Sequence, residues 1–157
     1  MIKFGTISTA NITPRALVNP CIDEPKAQVM SIAARSKGRA EEFARWHGIS
    51  RVYDSYEEVI ADDETNAFYN PLPISMHKEW TINALRAGKH VLCEKSFASN
   101  ALEAQEMEAV GAETGLVLMD AFHYRYHPVF IRAKEIMESG EIGKVERIDA
   151  AFHVPVS

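Results

Sequence analysis

Short apolar runs, each too brief for a helix, alternate along this chain with longer stretches of helical periodicity. Residues 2–7 (IKFGTI), 28–34 (QVMSIAA), 66–70 (NAFYN), 89–93 (KHVLC) and 116–119 (LVLM) read as strands, with a weaker one at 51–53. Between them the pattern predicts helices. One starts near Pro14, with Asn11 or Thr13 as cap, and one runs from Ser36 to His47 with Gly48 as its stop. Others cover 55–60, 75–87 with Gly88 as terminator, and 100–114. Met76, Trp80 and Ala84 fall on one helical stripe, and Ala104, Met107, Val110 and Gly111 on another. Parallel neighbours require crossover connections, so this order predicts an α/β fold built on a doubly wound, mostly parallel sheet.

The last part of the chain behaves differently. A helix over 128–139 is expected to bury Val129, Ala133, Ile136 and Met137, and residues 145–154 alternate as a strand with Ile148, Ala150, Phe152 and Val154 on one face. Such a strand needs a partner. The reading is therefore a main domain over 1–120, followed at 121–157 by a helix and the first strand of a truncated second domain. An unpaired edge there would favour self-association. The net charge of −5 and the lack of a Lys/Arg cluster argue against a nucleic-acid partner, and no apolar run is long enough for a membrane span. Cys21 and Cys93 lack metal-ligand spacing and read as buried thiols of a cytoplasmic protein, with no metal site expected.

Two segments are placed where a doubly wound sheet does its chemistry. The turn after the first strand reads Ser8-Thr9-Ala10-Asn11-Ile12-Thr13. Phosphate binding there uses backbone N–H groups and the positive end of the next helix, normally with glycines for close approach. Ser8 and Ala10 stand at glycine positions of that fingerprint, so the segment reads equally well as an ordinary strand-to-helix turn. At the end of the second strand, Arg35, Ser36 and Lys37 appear with no carboxylate. An acid at that point accepts a ribose 2′-hydroxyl, whereas basic and hydroxyl groups suit a 2′-phosphate, which favours NADP over NAD. A solvated helix start is the plainer alternative.

Three spaced segments add a resemblance. Residues 66–77 (NAFYNPLPISMH), 88–97 (GKHVLCEKSF) and 120–128 (DAFHYRYHP) look like successive signatures of the Gfo/Idh/MocA family, which includes glucose–fructose oxidoreductase, inositol dehydrogenase and dihydrodiol dehydrogenase. The similarity runs from Ile2 into the final strand pattern. It implies a Rossmann-type domain in which Tyr69, Asn70, Pro71 and Leu72, with Pro73, form the loop beside the cofactor ribose and pyrophosphate. His77 matches the histidine that opens the next helix, and Glu94 and Lys95 match the Glu-Lys of the family's EKP. In the family that lysine lies beside nicotinamide and substrate, so Lys95 is the expected catalytic residue. Arg125 and His127 match a pair near the entrance to the second domain, and the resemblance implies that His77, Glu94, Lys95 and Arg125 join that loop in binding the cofactor. The chain departs from the pattern at Ser96, where the family has proline, at Ser8 and Ala10, and at Ile74, where many relatives have asparagine.

The resemblance implies an NAD(P)-dependent oxidoreductase, a homo-oligomer in full-length form, moving hydride to or from a sugar, polyol, cyclitol or dihydrodiol. The 157-residue chain is then a cofactor-binding fragment that is inactive alone. The alternatives are a non-catalytic NAD(P)-binding protein and an NAD-dependent hydrolase or lyase of the same family.

Overall fold

The computed structural model describes residues 1–151 and 153. The chain divides into two compact units, Met1–Ala121 and Phe122–Ser157. In the first, β1 (Ile2–Ile7), β2 (Ala27–Ala33), β3 (Arg51–Val52), β4 (Ala67–Asn70), β5 (His90–Cys93) and β6 (Leu118–Asp120) form one sheet. Its order is β3-β2-β1-β4-β5-β6, and every pair is parallel. The chain leaves β1 to build one half of the sheet, then returns beside β1 to build the other.

Helices cover both faces. After β1 a widened helical turn, Pro14–Val18, runs into α1 (Asn19–Asp23). Then come α2 (Lys37–His47), α3 (Tyr56–Ala61), α4 (His77–Arg86) and α5 (Ala101–Thr114). Successive strand residues point to opposite faces, and β4 shows the consequence. Phe68 packs with Val59, Trp80, Leu85 and Met107, whereas its neighbour Tyr69 packs with Leu17, Val18, Ile32 and Ala44. Being buried on both faces is what makes the strands read as continuous apolar runs.

Local signals set the helix ends. Ser55 Oγ accepts from the Glu58 N–H at 3.2 Å while Glu58 Oε2 accepts from the Asp54 N–H at 2.8 Å. Asn100 and Glu103 repeat the device at α5, with the Ser99 N–H as the second donor. Gly48 and Gly115 close α2 and α5 in the left-handed region, at φ 69° and 66°. At the start of α2, Ser36 occupies the cap position without making a side-chain capping bond. Thr13 holds the same place before Pro14 and likewise makes none. On the N-terminal side of the sheet the buried Lys89 donates to the carbonyls of Asp62 (2.7 Å) and Thr65 (2.8 Å), tying the turn before β4 to the start of β5.

The second unit holds a short helical turn, His123–Tyr126, and α6 (Pro128–Ser139). Two expectations are corrected here. α6 has no buried residue, and Val129 and Met137 are exposed. Helical periodicity marks a face that can be buried, but burial also needs an opposing surface. Residues 145–151 are not a strand, because no ladder partner is present among the described residues, and alternation without ladder bonds leaves irregular backbone. Phe152 and Val154 of the expected strand lie outside the described residues.

Gly5 lets α3 approach the sheet. A Cβ there would stand 2.7 Å from Val59 Cγ1 and 3.1 Å from Ser31 Oγ. Gly5→Ala should therefore cost about 1–3 kcal/mol of stability, the usual range for overpacking. Urea denaturation checks this, and an unchanged midpoint would contradict the close packing.

Candidate dinucleotide site

Strand order reverses at β1, so the loops after β1 and β4 diverge and leave a crevice at the carboxyl ends of the strands. A cavity of about 490 Å³ opens there. One wall is the turn Ser8-Thr9-Ala10-Asn11, and the other is Ala34, Arg35 and Ser36 at the end of β2. Arg39 of α2 and Tyr56 of α3 complete it.

Ser8 bends the chain out of β1 at φ 73°, and its N–H donates to the Ala33 carbonyl at 2.7 Å. The turn thus adopts the left-handed conformation for which the usual fingerprint uses glycine, but with a side chain present. Ser36 is free of capping duty and its residue lines the cavity. Arg35, just before the Ser36 cap, and Arg39, in the first turn of α2, both line it, and no carboxylate is among the lining residues described. Two guanidinium groups and a hydroxyl beside a helix N-terminus form a setting for phosphate.

Not every expected residue lines this cavity. Lys37 pairs instead with Asp54 at 2.6 Å, which raises its pKa through hydrogen bonding and charge. Ile12 is 40% exposed and lies outside the lining, and Thr13 is wholly buried with its hydroxyl unpartnered. Arg39 and Tyr56 were missed by sequence reasoning. Arg39 was legible, since it falls in the first turn of a helix that starts in the crevice. Tyr56 depends on where α3 packs, which no local pattern records.

The second half of the crevice is built from the ends of β4, β5 and β6. Tyr69 is wholly buried, and its hydroxyl donates to Glu94 Oε1 at 2.8 Å. Glu94 Oε2 accepts from the Lys95 N–H at 3.1 Å, so one buried carboxylate joins β4 to the lysine loop. Burial, then the hydrogen bond to Glu94 and its charge, push the Tyr69 phenol well above its ordinary range. Asn70 donates to the His77 carbonyl and to Thr81 Oγ1, both at 3.2 Å, and accepts from the Leu72 N–H at 3.3 Å. Pro71 and Leu72 of this loop are themselves buried. Lys95 is exposed, and the Lys95–Ser96 peptide is cis. Asp120, at the end of β6, is raised by burial and by repulsion from Glu94, and drawn back by His77. Arg125 is exposed and belongs to the second unit.

A parallel six-stranded sheet with a phosphate-suited cavity at its point of reversal is the form of a dinucleotide-binding Rossmann domain. The chain belongs to the Gfo/Idh/MocA oxidoreductase family: residues 2–122 match its NAD-binding Rossmann fold. It is 36% identical over 154 residues to the dTDP-3,4-didehydro-2,6-dideoxy-alpha-D-glucose 3-reductase of Actinomadura kijaniata, covering 98% of this chain and 46% of that protein. It is 37% identical over 152 residues to the scyllo-inositol 2-dehydrogenase (NADP(+)) IolU of Bacillus subtilis, covering 97% of this chain and 45% of that one. Among solved structures it resembles KijD10, a 3-ketoreductase from Actinomadura kijaniata in complex with NADP and TDP-benzene. That match has a TM-score of 0.81 and 35% identity, covering 88% of this chain and 42% of the other. The chain thus spans less than half the length of these relatives. Among the described residues, no helix is long and apolar enough to cross a membrane.

Two measurements test the site's local structure. Ser8→Gly should raise stability by about 0.5–1 kcal/mol, since relief of the left-handed side chain outweighs added unfolded-state entropy. A lower denaturation midpoint would contradict that. The two thiols also differ. Cys93 is buried and its thiol is pushed up to about 12 by burial, whereas Cys21 is only partly buried, which corrects the expectation for that residue. Iodoacetamide should label Cys21 in the folded protein and Cys93 only on unfolding. Equal labelling rates would show that the β5 end is open.

Proposed function

We propose that this chain is the NADP(H)-binding half of an oxidoreductase that moves hydride to or from a small hydroxyl or carbonyl substrate, a sugar, polyol, cyclitol or dihydrodiol. The observation that carries the reading is the cavity after β1 and β2, with Arg35, Ser36 and Arg39 on one wall and no acid among its described lining residues. A ribose 2′-phosphate would pair with Arg35 and Arg39, with the Ser36 hydroxyl as a further donor. The Ser8–Asn11 turn would hold the pyrophosphate, and Tyr56 offers an aromatic edge beside the adenine end. Relatives whose names carry NADP, IolU among them, support the same preference.

When bound, the nicotinamide supplies the hydride acceptor or donor. The residues of this chain do the rest. Glu94 fixes the first peptide of the lysine loop, and Asn70 fixes the loop after β4. Lys95 stands exposed at the start of the lysine loop. Its ammonium can hydrogen-bond the substrate oxygen, stabilise charge that develops there, and exchange a proton with it. We further infer a cytoplasmic homo-oligomer. The free thiols Cys21 and Cys93 support a reducing compartment, and exposed Val129, Phe130 and Ile131 on α6 support a partner surface.

Calorimetry should show tighter binding of NADPH than of NADH. Arg35→Asp should weaken NADPH binding by about 10- to 100-fold, as expected for a charge-assisted pair. Equal or tighter NADH binding by the unmodified chain would overturn the preference. In the whole protein, tested against a panel of sugars, cyclitols and dihydrodiols, Lys95→Met should lower kcat about a hundredfold or more while cofactor affinity survives. Near-normal turnover would make Lys95 structural.

A further inference from the structure

His77 opens α4 and its side chain is wholly buried. It lies between the loop after β4 and the loop that carries Lys95. Nε2 is 2.7 Å from the Leu72 carbonyl, while Nδ1 is 2.9 Å from the Ser96 carbonyl and 3.3 Å from that of Phe97. With both ring nitrogens occupied inside the protein, the imidazole has no nitrogen left for a ligand. A direct role in holding cofactor, which the motif position suggested, is not what this geometry provides.

All three neighbours are carbonyl oxygens, which only accept. A neutral imidazole has one N–H, and the lone pair on its other nitrogen would face an oxygen. The contacts to both loops are hydrogen bonds together only when both nitrogens donate. The charged groups at this corner suit a ring with two protons. Asp120 on β6 interacts electrostatically with His77, and its Oδ1 lacks a hydrogen-bond partner. Glu94 on β5 is the second carboxylate, already bonded to Tyr69 and the Lys95 N–H. Burial and the helix dipole work in the other direction, because the ring is wholly enclosed and stands at the N-terminal end of α4. Three carbonyls and a nearby carboxylate oppose both.

We propose that His77 is a positioning residue: a doubly protonated imidazole that straps the loop after β4 to the Lys95–Phe97 loop, and thereby sets where Lys95 stands. Leu72 is gripped from both sides, its N–H by Asn70 and its carbonyl by His77. Phe97 is held at the same carbonyl by His77 and, at 3.7 Å, by the Cys93 thiol. Removing the imidazole releases one peptide in the first loop and two in the second, next to Lys95. The importance of that release for catalysis rests on the function proposed above, whereas the strap itself does not.

The decisive experiment is ¹⁵N NMR of the unmodified chain with labelled histidine, His77 being assigned by the through-space contacts of its ring protons to Leu72 and Phe97. Both His77 ring nitrogens should show protonated-type shifts at neutral pH, each with a slowly exchanging N–H. One protonated and one bare nitrogen would overturn the proposal, and this result needs no folded variant. In His77→Gln, whose single amide nitrogen cannot reach both loops, hydrogen exchange at the Leu72 amide and at 95–99 should rise together by about tenfold or more. β1 and β2 should keep their wild-type protection. Unchanged exchange in both loops would also overturn it. An NADPH titration of the unmodified chain separates the two ideas: a doubly protonated ring without NADPH binding sinks the proposed function and leaves the strap intact.

Discussion

β1 is hydrogen-bonded along both edges, to β2 on one side and β4 on the other, with all three strands running the same way. Most of the molecule follows from that pairing. A parallel neighbour cannot be reached by a tight turn, so each connection must cross a face of the sheet, and helices accumulate on both faces. Gly5 sits in this central strand where α3 comes closest, and Phe68 and Tyr69 in the next strand divide the core into its two halves. Because the chain departs from β1 in both directions, the strand ends there open into a crevice rather than being covered by a loop.

The two halves of that crevice are made differently. Around Ser8–Asn11 and Arg35–Arg39 the surface is open, cationic, and free of carboxylates among the described lining residues. Around Asn70, His77 and Glu94 the polar groups are buried and bonded to backbone or to one another. A buried polar group must be bonded or it costs stability, so such a network has few alternative arrangements. The first half is suited to receiving charge. The second is suited to holding a loop still.

Much of the sheet was legible in the sequence because its strands are buried on both faces and therefore read as unbroken apolar runs. Gly48 and Gly88 as helix terminators were legible for the same local reason: both adopt positive φ. The paired caps at Ser55–Glu58 and Asn100–Glu103 were also present in the sequence as S/N-x-x-E spacings, and mark helix starts that periodicity alone left loose. Residues 145–151 were not legible, because alternation records a capacity for pairing while a strand is defined by its partner. The site shows the same division. Arg35 and Ser36 follow from strand end and helix start, whereas Tyr56 enters the cavity through tertiary packing and Lys37 leaves it through an ion pair with Asp54. His77 was visible only as part of a motif. That its ring faces three carbonyls is a matter of where two loops meet.

The central claim is that the cavity beside Arg35 and Arg39 receives a ribose 2′-phosphate. Phosphorus-31 NMR of NADPH titrated with this chain tests it at the group concerned. The account predicts that the 2′-phosphate resonance shifts on binding and stays in its dianionic form to lower pH than in free NADPH, because two guanidinium groups favour the charged state. A pyrophosphate signal that shifts while the 2′-phosphate titrates as in free solution would contradict it.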